Sequence, residues 1–182
     1  MKVRVLLVVL PAVFCLGASS PKEGNLEPFF PEGYEGRQLE EQGHGQRYHE
    51  GILITGTADY ISRVRDALDL VESADPRNWY FLRKHVRRIT LTGHPGMDVG
   101  GGRFTSGEGE GETSAWLAGK IVHDAWHREL YLRGRPWEGR EAEIFCLERQ
   151  REFLARVDGG ALDVEEALRS EYWKVDYWAR DW

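Results

Sequence analysis

The chain reads as an α+β protein: a single, mostly helical domain with a small sheet on one side. Three observations predict this. The second half repeats apolar residues at helical spacing between glycine and proline breaks. The first half holds short apolar runs rich in β-branched residues and ended by glycine. At 182 residues and 41% hydrophobic composition, with seven Trp, seven Tyr and seven Phe, the chain can bury one sizeable core.

Taken in order, residues 1–20 have the layout of a secretory signal peptide. Lys2 and Arg4 make a basic start, Val5 to Leu16 an apolar run broken only by Pro11, and Gly17-Ala18-Ser19-Ser20 a small-residue cleavage region. The run is short for a membrane span, so no transmembrane span is expected after leader removal. A buried N-terminal strand or helix is the alternative. Cys15 raises lipoprotein attachment, but Phe14 stands before it where a small residue is wanted, so plain cleavage ranks first. The expected location is extracytoplasmic, secreted or periplasmic. Residues 21–45, rich in Gly, Pro, Glu and Gln, read as a flexible linker, and residues 46–182 as the folded domain.

Residues 48–56 read as one strand with an apolar centre, ended by Gly56. Thr57 or Asp59 caps a helix whose stripe is Ile61, Val64, Leu68 and Val71. Asp75-Pro76 starts a second helix, since proline suits a first turn. It runs through Trp79, Leu82 and Val86, and Ile89 and Leu91 follow in a short strand. The glycine-dense stretch 93–112 lacks the Gly-Lys-Ser/Thr ending of a phosphate loop and any dinucleotide fingerprint. It reads as a loop flanking the strand Arg103 to Ser106. Thr113 or Ser114 caps a helix from about Ala115 to Leu130. After Gly134, Pro136 and Gly139 another runs from about Arg140 to Val157, and Asp163 caps a last one to the C-terminus. The aromatic stripe of that last helix, Leu168, Tyr172, Val175, Ala179 and Trp182, fits a packed face.

The charge balance is acidic, 24 basic against 30 acidic side chains, with no basic block, which argues against a nucleic-acid partner. Without the leader one cysteine remains, Cys146, so the fold holds without an internal disulfide.

The segment that carries chemistry is His123-Asp124-Ala125-Trp126-His127. Its two histidines stand four residues apart, on one face of the helix, and can bind one tetrahedral metal ion. The pair alone is a weak signal. Its setting between Ile121, Val122, Ala125 and Trp126, and the acid directly after the first histidine, strengthen it.

This segment resembles the His-Glu-x-x-His helix of the zincin metallopeptidases, with Asp124 where that family has Glu. The order of elements over residues 48–157 is similar to the gluzincin branch, which takes a third zinc ligand from a Glu on a following helix. Of Glu141, Glu143 and Glu148, Glu143 heads the stripe Cys146, Leu147, Gln150, Phe153, Leu154 and Val157, apolar but for Gln150, and should face the core. It is the expected third ligand; an inward salt bridge to Arg or His is the alternative. Cys146, on the same stripe, reads as a small buried hydrophobe. The resemblance implies zinc held by His123, His127 and Glu143, and Asp124 as general base toward a metal-activated water. It also implies a substrate-aligning edge strand, for which Arg103 to Ser106 is available, and an oxyanion-stabilising side chain from among His49, His85, His94 and Tyr131. Zinc suits these ligand types better than other divalent ions.

The expected function is peptide-bond hydrolysis on a peptide or protein substrate. Asp124 has one methylene less reach than Glu. A catalytically inactive relative acting as a metal-containing binding or structural protein is therefore the second reading. A metal-free helical domain that binds a partner or glycan through its last helix is the third.

Overall fold

The structure, a computed structural model, describes residues 45–93, 95–107, 112–157, 161–170 and 174. The leader, nearly all of the linker, His94 and most of the C-terminal stripe lie outside the described residues.

Five strands form one mixed sheet, β1 (Gly45–His49), β2 (Ile52–Gly56), β3 (Arg88–Leu91), β4 (Gly96–Asp98) and β5 (Arg103–Ser106), in the order β1-β2-β3-β5-β4. The three central strands run parallel, and both edge strands are antiparallel to their neighbours. Five helices are described: α1 (Ala58–Ala74), α2 (Pro76–His85), α3 (Ser114–Leu132), α4 (Arg140–Arg156) and α5 (Ala161–Arg169). The α+β class expected from the sequence is what the chain adopts.

The expected strand over 48–56 is instead a hairpin. Glu50 and Gly51 both take positive φ, 46° and 92°, the backbone of a tight two-residue turn whose twist matches paired strands. Glu-Gly carries this turn less visibly than Asn-Gly does. The glycine-dense stretch likewise holds a further strand, β4, paired to β5. Gly102 makes that hairpin possible: at φ 71° a Cβ there would lie 2.9 Å from the Arg128 guanidinium carbon and 2.9 Å from the His85 carbonyl. Arg103–Ser106 is an inner strand, and the antiparallel edge is β4, which corrects the expected edge-strand assignment.

One face of the sheet is buried. Ile52, Ile54, Ile89, Leu91 and Phe104 pack against Ile61, Val64, Leu68 and Val71 of α1 and Leu117, Ile121 and Val122 of α3. Each such side chain contributes about 1.5–3 kcal/mol on burial. The alternate residues Leu53, Thr55, Arg88, Thr90, Arg103 and Thr105 point to the other face and are half-buried or exposed.

Helices α1, α2 and α3 start where a side chain can receive their first amides. Thr57 accepts from Tyr60 N, Asp75 from Asn78 N and Thr113 from Trp116 N. Asp163 lies inside the first turn of α5 rather than at its cap. α3 ends in a Schellman turn: Gly134 at φ 64° donates to the Tyr131 carbonyl and Arg135 to the Leu130 carbonyl. That stop reverses the chain, so α4 runs back along α3. A Cβ on Gly119 would touch Leu154 and Gln150 at 3.1 and 3.3 Å, a measure of how closely the two helices approach.

Candidate metal centre

Antiparallel packing of α3 on α4 sets the middle of one helix against the first turn of the other. His123 and His127 stand one turn apart on α3, and Glu143 stands in the first turn of α4. That turn carries the positive end of the helix dipole, which favours a carboxylate. All three side chains are buried, with 1%, 8% and 7% of their surface exposed, so their ionic chemistry is shielded from bulk water.

Three ligand atoms converge. His123 Nε2 lies 3.0 Å from His127 Nε2, and Glu143 Oε2 lies 3.5 Å from the first and 3.7 Å from the second. A tetrahedral zinc with bonds of about 2.0–2.2 Å needs its ligand atoms roughly 3.3–3.6 Å apart. The set matches to within a few tenths of an ångström.

A backbone group fixes the orientation of one imidazole. His127 Nδ1 donates to the Trp137 carbonyl at 2.6 Å, so whenever the ring is neutral its lone pair sits on Nε2, which faces His123 and Glu143. The helix connection that turns the chain also supplies this carbonyl. Nothing in the residue pattern announced it, because main-chain carbonyls have no sequence signature. Cys146 is fully buried against Leu130 and Ala142, as expected of a small hydrophobe.

The electrostatics follow from burial and crowding. Burial pushes the Glu143 carboxyl upward, but hydrogen bonds and charge from His123 and His127 outweigh it and hold it well below the usual carboxylate range. Burial pulls His127 down, yet Cys146, Glu143 and Asp124 reverse this and raise it well above an ordinary imidazole. Asp124, 8% exposed, feels both imidazoles and Glu143, and burial prevails to push its carboxyl upward. A carboxyl raised in this way is suited to accept and return a proton.

Glu141 is exposed and Glu148 half-buried, and neither joins the cluster, whereas Glu143 does. The other residues considered for an oxyanion role scatter. His85 sits against Glu129 at 3.2 Å, and His49 against Asp69 at 3.3 Å. Tyr131 lies one turn beyond His127, edge-on to Trp137 at 6.0 Å.

Arg128 ties this helix to the sheet. It donates to the carbonyls of Val99, His85 and Gly100 at 3.0, 2.8 and 3.4 Å, and so holds the β4–β5 hairpin and the end of α2 beside α3. Among the described residues, no helix is long and apolar enough to cross a membrane. No protein-family model, curated protein or solved structure matches the chain.

Proposed function

We propose that the protein is an exported zinc-dependent peptidase, with zinc held by His123, His127 and Glu143 and with Asp124 as the proton-accepting base. One observation carries the reading: two imidazole nitrogens and a carboxylate oxygen meet at tetrahedral spacing between α3 and α4, buried from solvent. Bound zinc would supply a Lewis acid that polarises a carbonyl and brings water to a pKa of about 7. The chain's own groups do the rest. The Trp137 carbonyl keeps His127 in the binding tautomer. Glu143 offsets the ion's charge. Asp124, buried beside both imidazoles, takes the proton from water and returns it to the leaving amine. The leader-like N-terminus supports an extracytoplasmic site of action, with peptides or proteins as substrate.

The shorter arm of Asp124 favours a second reading, a metal-containing relative without hydrolytic activity. Proton transfer depends on placement, so a lost methylene can cost orders of magnitude.

The test is elemental analysis of the wild type beside a His123→Ala/His127→Ala variant, followed by hydrolysis of a quenched peptide library. The variant should carry one zinc per chain fewer than the wild type, and the wild type should cleave. Equal zinc contents after reconstitution refute the centre. Zinc without cleavage, with activity appearing in Asp124→Glu, establishes the second reading.

A further inference from the structure

A second group of ligating side chains lies away from that centre, where β1 meets α1. His49 is the last residue of the edge strand β1, and Asp69 and Glu72 lie one turn apart on α1. One ligand atom from each of the three falls within 4.8 Å of the others. His49 Nε2 is 3.3 Å from Asp69 Oδ1, yet this nitrogen is shut off from solvent and makes no hydrogen bond. Its ring is held edge-on by Trp79, with centroids 5.7 Å apart. A buried nitrogen without a hydrogen bond is costly, and two carboxylates gathered on one helix face repel each other. A single cation between the three groups relieves both.

We propose that His49, Asp69 and Glu72 form a second divalent-metal site, one that takes a transition ion such as Zn2+ and clips β1 onto α1. The imidazole selects against Mg2+ and Ca2+, which prefer all-oxygen shells. The His49 side chain is 11% exposed but Asp69 is 58% exposed, so the ion sits at the surface and exchanges with the medium. Its role is structural. β1 buries none of its five residues and pairs on one side only, with β2. His49 meets α1 through Asp69 and α2 through Trp79, so a metal there fastens a strand that buries none of its residues.

The experiment is Zn2+ binding to the full chain by equilibrium dialysis, with hydrogen exchange of the 45–49 amides read at the same time. The wild type should hold two Zn2+, and His49→Asn, and separately Glu72→Gln at the exposed end, should each hold one. Zn2+ should slow exchange in β1 of the wild type and leave it unchanged in both variants. His123→Ala/His127→Ala should lose the other ion and keep the Zn2+-dependent protection of β1. That separates this site from the one proposed for catalysis: each can fail while the other stands. A wild type whose zinc count and β1 exchange match those of His49→Asn and Glu72→Gln overturns the proposal.

Discussion

Helix α3 carries two buried histidine–carboxylate clusters on opposite sides, and they differ in how charge is settled. On one side His123 and His127 meet Glu143 with two imidazole nitrogens and one oxygen converging. Glu129, two residues past His127 and so about 200° further round the helix, meets the single imidazole of His85 at 3.2 Å. Arg133 closes that second cluster, donating through Nε to Glu129 at 2.5 Å. The guanidinium already offsets the carboxylate, so this cluster makes a tie between α2 and α3. A buried His beside a Glu is thus not a metal site in itself. The first cluster differs in having a second imidazole one turn away and three donor atoms near tetrahedral spacing.

Four measurements can break or sharpen this contrast. The largest effect should come from the ligands. Loss of an outer partner of a ligand typically costs 10–100-fold in metal affinity, so Glu143→Ala should cost more than about 100-fold. Glu129→Gln should leave affinity at the wild-type value. Isothermal titration with Zn2+ reads both, and equal losses would erase the distinction. Next, if the protein acts as proposed, Asp124→Asn should keep zinc while lowering the rate of peptide hydrolysis by about 10²–10⁴-fold, the usual share of a general base.

The third concerns pH. Burial lowers His85 from 6.5 to about 4, against an opposing pull from Glu129 and with smaller downward pushes from Lys84, Arg128 and Arg133. The unfolded chain therefore takes up this proton first. Stability is full above about pH 6.5, falls as pH drops toward 4, and the loss approaches about 3 kcal/mol. Urea denaturation of the wild type and His85→Gln at pH 7 and pH 4.5 should show a shallower acid loss in the variant; parallel losses would mean that His85 is not held neutral by burial.

The smallest effect should follow Arg128→Lys. Lysine cannot reach three carbonyls with a planar fork, and the buried acceptors at Val99 and His85 lose their donors. A stability loss of about 1–3 kcal/mol is expected, with zinc content unchanged. Zinc loss on this substitution would show that the hairpin tie also positions the ligand face.

Much of the site's raw material is legible along the chain because a helix converts spacing into direction. The interval from His123 to His127 puts both imidazoles on one face, and the stripe headed by Glu143 turns it inward, apart from the exposed Glu141. Turns are less legible where their residue types are uncommon. Glu50-Gly51 hid a hairpin inside an apparent single strand, and β4 lay among glycines whose composition reads as loop.

By itself, then, the sequence determined the α+β class, helices α1 to α4, the caps of α1, α2 and α3, and the apolar stripes that face the core, since these depend on contacts within a few residues. The tertiary structure alone decided that α4 returns along α3 closely enough to bring Glu143 within 3.7 Å of both imidazoles, and that the Trp137 carbonyl orients His127. It also decided that His85 and His49 find carboxylates of their own. Those outcomes depend on how elements far apart in the chain pack together, and residue spacing cannot encode a distance across a helix interface.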